Sequence, residues 1–212
     1  MLEFAINHRS EILTLTLEHL WMVALSIALA TLTGIPLAVL IHRKVVFRRP
    51  VLGISNLIQT IPSLALFGLL LPVSWLGDRA DRLAVTALTL YALLPIIRNT
   101  YEGLAGVDSS VINAARGMGM TEQQLLWEIQ IPLALPVIFA GIRIATIIGI
   151  GTATIAAAVG AGGLGELIFR GLAMVDNHVI LAGAVPAAVL ALLADAVFSV
   201  LERMVQINRP SI

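Results

Sequence analysis

Two ionisable residues stand inside apolar runs, Arg143 in the stretch that follows Pro136 and Asp195 in the stretch that precedes Glu202. A charge inside a membrane crossing is expensive and needs a partner or a route to the interface. Arg143 comes seven residues after Pro136 and Asp195 seven before Glu202, so at 1.5 Å per residue both lie roughly 10 Å from the same end of their helices. That matched depth predicts an intramembrane pair; separate snorkelling to the interface or direct contact with a moving substrate are the alternatives. Histidines 8, 19, 42 and 178 form no HxxxH pair, and the chain has no cysteine, which argues against a metal centre and removes thiol chemistry. No GxSxG, HExxH or Walker A sequence occurs, so neither a serine or zinc hydrolase nor a self-contained ATPase is supported. Gly160-Ala161-Gly162-Gly163-Leu164-Gly165 satisfies GxGxxG, but it follows an apolar helix and not a strand, which predicts a tight irregular turn outside the bilayer core. The chain is expected to carry no catalytic, cofactor or metal site.

The elements that must position these residues are membrane helices. Of 212 residues 58% are hydrophobic and 12% charged, where a soluble domain carries about 25% charge. Thirteen Lys+Arg balance thirteen Asp+Glu, which leaves no basic field for nucleic acid. With about 20 apolar residues per crossing, the reading is all-α and polytopic, a single domain over 1–212 with about five crossings. These are His19 to Ile41, Val51 to Trp75, Leu83 to Ile97, a stretch opened by Pro132 and Pro136 and reaching Val159, and His178 to Leu201. Glu3, Glu11 and Glu18 precede the first apolar run and basic residues follow it, unlike a cleaved signal peptide, so residues 1–18 read as a retained, partly amphipathic lead-in. Gly77 to Arg82 reads as a polar turn.

Arg43, Lys44, Arg48 and Arg49 follow the first crossing and place that connection in the cytoplasm by the positive-inside rule. The amino terminus is then outside, the 77–82 turn outside, the 98–131 loop inside, the glycine-rich segment outside, and the tail with Arg203 and Arg209 inside. Down the fourth crossing Gly141, Ala145, Gly149, Ala153, Ala157 and Ala161 recur every four residues. Such a stripe of small side chains lets another helix approach closely, within the chain or at a subunit interface. In the polar loop, about 101–131, Asp108 is expected to cap a helix over Ser109 to Met118, which the pair Gly117 and Gly119 ends. Thr121 with Gln124 reads as a capping box that opens a second helix, stopping before Pro132. Across the hairpin Leu125, Leu126 and Ile129 are apolar and Arg116, Glu122, Gln123 and Glu128 polar, which reads either as a solvated interfacial hairpin or as a docking surface.

Asn113-Ala114-Ala115, three residues, Gly119, nine residues, then Ile129-Gln130-Ile131-Pro132 resembles the EAA-loop motif of ABC importer permeases, EAA-x3-G-x9-I-x-LP. Asn113 replaces the family Glu and Ile131 the Leu. Thr60 to Gly68, Leu94 to Thr100 and Leu135 to Gly165 are similar to permeases of osmoprotectant importers for glycine betaine, choline and carnitine. The resemblance implies a coupling helix over Asn113, Ala114, Ala115, Arg116, Gly117, Met118, Gly119 and Met120, continued by Glu122 and Gln123, seated in a cleft of a separate ATPase. It also implies a second permease subunit, identical or paralogous, two ATPase subunits that bind ATP and Mg, an external substrate-binding protein and a place in the bacterial inner membrane. With no receptor domain after residue 201, that protein is expected as a separate polypeptide or fused to another subunit. The competing expectations are the same machine carrying an amino acid or other small polar solute, a membrane scaffold whose hairpin docks a different partner, and an intramembrane enzyme.

Overall fold

The computed structural model describes residues 6–207, with side chains through residue 204, and every regular element among them is helical. In chain order these are α1 (Arg9–Arg43), a 3-10 turn (Val45–Phe47), α2 (Arg48–Thr60), α3 (Ser63–Leu70), α4 (Ser74–Gly77), α5 (Ala80–Ala105), α6 (Ser109–Gly117), α7 (Glu122–Gln124), a π turn (Leu125–Gln130), α8 (Ile131–Ala156), a second 3-10 turn (Ala157–Val159), α9 (Gly165–Met174) and α10 (Asn177–Ile207). Glu3 and Arg209, both used in the sequence reading, lie outside the described residues. Among the described residues four stretches are long and apolar enough to cross a membrane singly: 9–43, 80–105, 122–159 and 177–204.

The second expected crossing is not a straight helix. α2 and α3 meet at a bend of 103° and together make the fifth candidate span. Pro62 drives the break, since the residue before a proline is pushed out of the helical region and Ile61 is extended at φ −70°, ψ 127°. The other boundaries also move. α1 continues through the lead-in back to Arg9, α5 runs on past Ile97 to Ala105, and Asp81 and Arg82 belong to the first turn of α5 and not to a loop.

α1, α5 and α8 form the centre. Between helices in lipid there is little hydrophobic driving force, so close packing of small residues has to hold them. Ala30, Ala92, Ile96 and Ala145 make the middle layer, with Met22, Val23, Phe67, Leu83, Ala87, Ile150 and Ala153 on one side and Leu104, Leu126, Ala134 and Ile138 on the other. The small-residue stripe finds its partners inside the chain. A Cβ on Gly141 would stand 2.9 Å from the Pro95 carbonyl oxygen of α5, and one on Gly149 would lie 3.7 Å from Val23 and Ile27 of α1. Ala145 and Ala153 are fully buried in the layers just named. Ala157 falls in the second 3-10 turn, half-buried.

The glycine-rich segment turns as expected, with Gly160, Gly162 and Gly163 at φ +81°, +78° and +73°. It is tethered to α1, where Glu18 Oε2 accepts the Gly163 N–H at 3.2 Å. α9, which the sequence reading did not anticipate, follows at once. Arg170 on it pairs with Glu11 of α1 at 2.6 Å.

Candidate functional site

The hairpin over 108–130 is assembled by contacts between near neighbours. Asp108 Oδ1 accepts the Ser110 N–H at 2.8 Å and opens α6. That bond favours the carboxylate and holds the Asp108 carboxyl below its ordinary range. At the other end Gly119 N–H donates to the Arg116 carbonyl at 2.9 Å and Met120 N–H to the Ala115 carbonyl at 3.2 Å, the paired bonds of a Schellman turn. The turn requires a left-handed residue after Met118, and Gly119 supplies it at φ +86°. Gly117 is the last residue of α6, so of the expected glycine pair only Gly119 makes the turn. Thr121 and Gln124 then form the capping box, Gln124 N–H donating to Thr121 Oγ1 at 3.3 Å and Thr121 N–H to Gln124 Oε1 at 2.9 Å. Arg116 spans the turn to Glu122 at 3.1 Å.

The second hairpin helix does not stop before Pro132. Ile131 N–H donates to the Leu126 carbonyl, five residues back, and this π turn widens the helix where the ring of Pro132 would otherwise meet the carbonyl four residues before it. The helical stretch 122–159 therefore joins the hairpin directly to the membrane core. Ala115, Leu125 and Leu126 are buried and seat the hairpin, while Asn113, Ala114, Arg116, Gly117, Met118, Gly119, Glu122 and Gln123 are all exposed on it and Met120 is half-buried. The end of α1 reaches the same place. Arg43 Nη2 donates to the Glu122 carbonyl at 3.5 Å, and the side chains of His42 and Gln130 meet at 3.2 Å between nitrogens. The hairpin is thus tied to both α8 and α1.

Arg143 and Asp195 are brought together: Arg143 Nε donates to Asp195 Oδ1 at 2.6 Å, and Nη1 donates to Glu202 Oε2 at 3.3 Å. Glu202 was a depth marker in the sequence and is a third member in the structure. The spacing of Asp195 and Glu202, seven residues, puts both on one face of α10. The group ties α10 to the helix that carries the hairpin.

A second interhelix site was not legible. Pro95 has no N–H, so the Tyr91 carbonyl of α5 lacks its helical donor. Gln59 Nε2 of α2 donates to that carbonyl at 2.8 Å, and the Tyr91 hydroxyl donates in return to the Ile61 carbonyl at the α2–α3 bend. A Gln two residues before an Ile-Pro pair is the only signal of it in the sequence.

A bundle of membrane-crossing helices, one of them broken, with an exposed helical hairpin continuous with the core, is the architecture of a transport permease. Residues 30–207 match the family described as the binding-protein-dependent transport system inner membrane component, and the chain belongs to that family. It is 45% identical over 196 residues to the osmoprotectant import permease protein OsmW of Salmonella typhimurium, covering 92% of this chain and 91% of that one. It is 40% identical over 205 residues to the glycine betaine/carnitine/choline transport system permease protein OpuCB of Bacillus subtilis, covering 97% and 93%. The fold is similar to a chain of the inward-facing MetNI methionine ABC transporter, with TM-score 0.80 and 26% identity over 89% of this chain and 93% of that one. A crystal structure of an amino acid ABC transporter with histidines shares the fold at TM-score 0.79 and 19% identity, covering 94% and 96%. The chain is an inner-membrane, multi-pass permease subunit of an ABC importer.

Proposed function

We propose that this permease moves a quaternary-amine osmoprotectant of the glycine betaine, choline and carnitine class, as one of two permease subunits, identical or paralogous. Two separate ATPase subunits bind ATP and Mg and grip the hairpin centred on Asn113 to Met120, and an external receptor delivers the substrate. The observation that carries the substrate is the agreement among four relatives at 39–46% identity, each named for osmoprotectant, glycine betaine, choline or carnitine transport. The continuous helical path from Glu122 to Val159 supports the coupling role: closure of the ATPases would push on a stiff lever, and ATP binding would shift the population between inward-open and outward-open states. The basic connection at Arg43 to Arg49 supports an orientation with the hairpin in the cytoplasm, the amino terminus outside and the carboxyl terminus inside.

A second reading, import of an amino acid, is favoured by the likeness to the methionine transporter at TM-score 0.80. Identity of 26% there against 45% to an osmoprotectant permease favours the first. The test is tracer uptake by the complex in proteoliposomes, with its co-purified receptor, comparing glycine betaine, choline and carnitine with methionine and histidine. Uptake of a quaternary amine alone is expected; uptake of an amino acid alone overturns the reading. The chain has no native cysteine, so orientation is tested with single cysteines. A membrane-impermeant maleimide is expected to modify position 80 in intact cells and position 45 only after permeabilisation, and the reverse pattern would sink the importer topology.

A further inference from the structure

From His19 to Gly77 the sequence contains no Asp or Glu, while Arg43, Lys44, Arg48 and Arg49 fall together at the end of α1 and the start of α2. All four are exposed. Among the described residues the ion pairs involve Arg79, Arg98, Arg116, Arg143 and Arg170 and none of these four. Arg43 is spent on a backbone carbonyl of the hairpin. Arg48 lies over the Tyr101 ring at 4.7 Å, which orients its guanidinium and neutralises nothing.

Between these cations the chain projects apolar side chains. Val45 is 70% exposed, Val46 84% and Phe47 45%, in a 3-10 turn that directly follows a membrane-crossing helix. A cleft of about 720 Å³ is lined by Val45, Val46, Arg48, Arg49, Leu52 and Asn56, with Gly53 between them. Its apolar wall and basic rim match an amphiphile with an anionic head. A water-soluble anion would have no use for the valines, and a protein surface would leave no reason for apolar side chains to protrude where the chain leaves the bilayer. The ring of Tyr101 beneath Arg48 is of the type that settles at the headgroup level.

We infer that the cleft between the Val45–Phe47 turn and α2 binds an anionic phospholipid headgroup, held by Arg48 and Arg49 with Lys44 alongside and with the first acyl methylenes against Val45, Val46 and Leu52. The bound lipid caps the junction of α1 and α2, where no carboxylate among the described residues pairs with Lys44, Arg48 or Arg49. The inference rests on the reading that this end of the bundle lies at a bilayer surface, and not on the substrate.

A Cβ at Gly53 meets nothing within 4 Å, so Gly53→Cys labelled with bimane reports from inside the cleft without crowding it. The full chain is placed in phosphatidylcholine nanodiscs and quenched with brominated phosphatidylglycerol or brominated phosphatidylcholine. A preference of about fivefold or more for the anionic lipid is expected, the factor that one Lys or Arg contributes at a membrane surface, and it should shrink as salt is raised. Lys44→Gln, Arg48→Gln and Arg49→Gln combined should make the two lipids equal, and Arg48→Lys should keep the preference. Equal quenching in the unmodified cleft, or a preference untouched by the triple change, overturns the site. Displacement of the lipid by millimolar inorganic phosphate would assign the cleft to a free anion, and protection of the bimane by the ATPase with no lipid preference would assign it to that partner; either result overturns the lipid. Nanodiscs present the lipid in both leaflets, so an error in orientation or in substrate leaves this measurement unchanged.

Discussion

The hairpin over 108–130 and the bent segment α2–α3 both change the direction of the chain at one end of a long helix, and they are held in opposite ways. Apart from the contacts of His42 and Arg43 at its base, the bonds that shape the hairpin link residues at most six apart: Asp108 to Ser110, Gly119 to Arg116, Met120 to Ala115, Thr121 to Gln124 and Arg116 to Glu122. The bend at Ile61-Pro62 is instead fastened to α5 by Gln59 and Tyr91, about thirty residues away in the chain, and by Leu66 and Phe67, buried where α3 packs on α5 and α8. The first region can keep its shape while the helices around it shift. The second has its shape only where α5 is. Under the proposed coupling role the first would serve as a rigid lever, and the second as a helix pair whose angle follows its neighbours.

The largest effect should come from breaking the long-range fastening. Gln59→Leu leaves the Tyr91 carbonyl without a donor, and Tyr91→Phe does the same to the Ile61 carbonyl. An interhelical hydrogen bond in a membrane is worth about 1–2 kcal/mol in model peptides, so each change is expected to destabilise by about that much, and the two should couple non-additively because they share one bend. Unfolding in mixed detergent micelles gives the energies, and the distance between labels at positions 53 and 69 gives the angle. Loss of stability with an unchanged distance would show that Pro62 alone sets the bend.

Next comes a pair of changes in one turn type. Gly119 and Val175 occupy the same left-handed position of matched Schellman turns, since Val175 N–H donates to the Leu172 carbonyl and Asp176 N–H to the Gly171 carbonyl with Val175 at φ 54°. A side chain in this conformation costs about 1–2 kcal/mol. Gly119→Val is expected to destabilise the hairpin by that amount while the membrane helices still insert, to weaken ATPase docking and to separate ATP hydrolysis from uptake. Val175→Gly should stabilise by up to the same amount. Normal coupled uptake by Gly119→Val in proteoliposomes would remove the hairpin from transmission.

The same pair shows what sequence can disclose. Both capping signals and the turn at Gly119 were readable because each depends on residue types within a few positions, and the spacing of the small residues announced close helix packing. Val175 ends α9 with a residue that prefers the opposite conformation, so nothing in its type marked the turn. The π turn was hidden for a similar reason, as Pro132 reads as a stop until a widened turn lets the helix pass through it. The bend of α2–α3 was half legible: Pro62 is visible, but the bend of 103° is fastened through the carbonyl that Pro95 leaves unpaired on another helix. Arg143 and Asp195 were matched by depth alone, and that arithmetic could not show that Glu202 lies on the same face.

A smaller effect is expected at Asp108. Asp108→Ala removes the cap of α6 and should shift local protection of amides 110–113 in hydrogen exchange more than global unfolding, with a smaller loss than Gly119→Val. The carboxyl is held below its ordinary range by the Ser110 N–H, so its contribution is complete above the unfolded Asp value of about 3.9 and is lost as pH falls through the lower folded value. Amide protection should be flat from pH 8 to 5 and fall only under more acid conditions. A decline already at pH 6 would mean that another group controls the cap.

The smallest change tests whether the hairpin acts as a shape or as a set of contacts. Gln123 is exposed and lies between the two residues that lock the turn from its far side, Glu122 through Arg116 and Gln124 through Thr121. It makes neither lock itself, so Gln123→Ala should alter stability by no more than about 0.5 kcal/mol. If the ATPase reads the rigid form of the hairpin, receptor-stimulated hydrolysis and uptake stay together in this variant and fall together in Gly119→Val. A Gln123→Ala variant that folds normally yet binds the ATPase as weakly as Gly119→Val would show the partner reading individual side chains, and the local bonds of the hairpin would then serve to present them and not to transmit force.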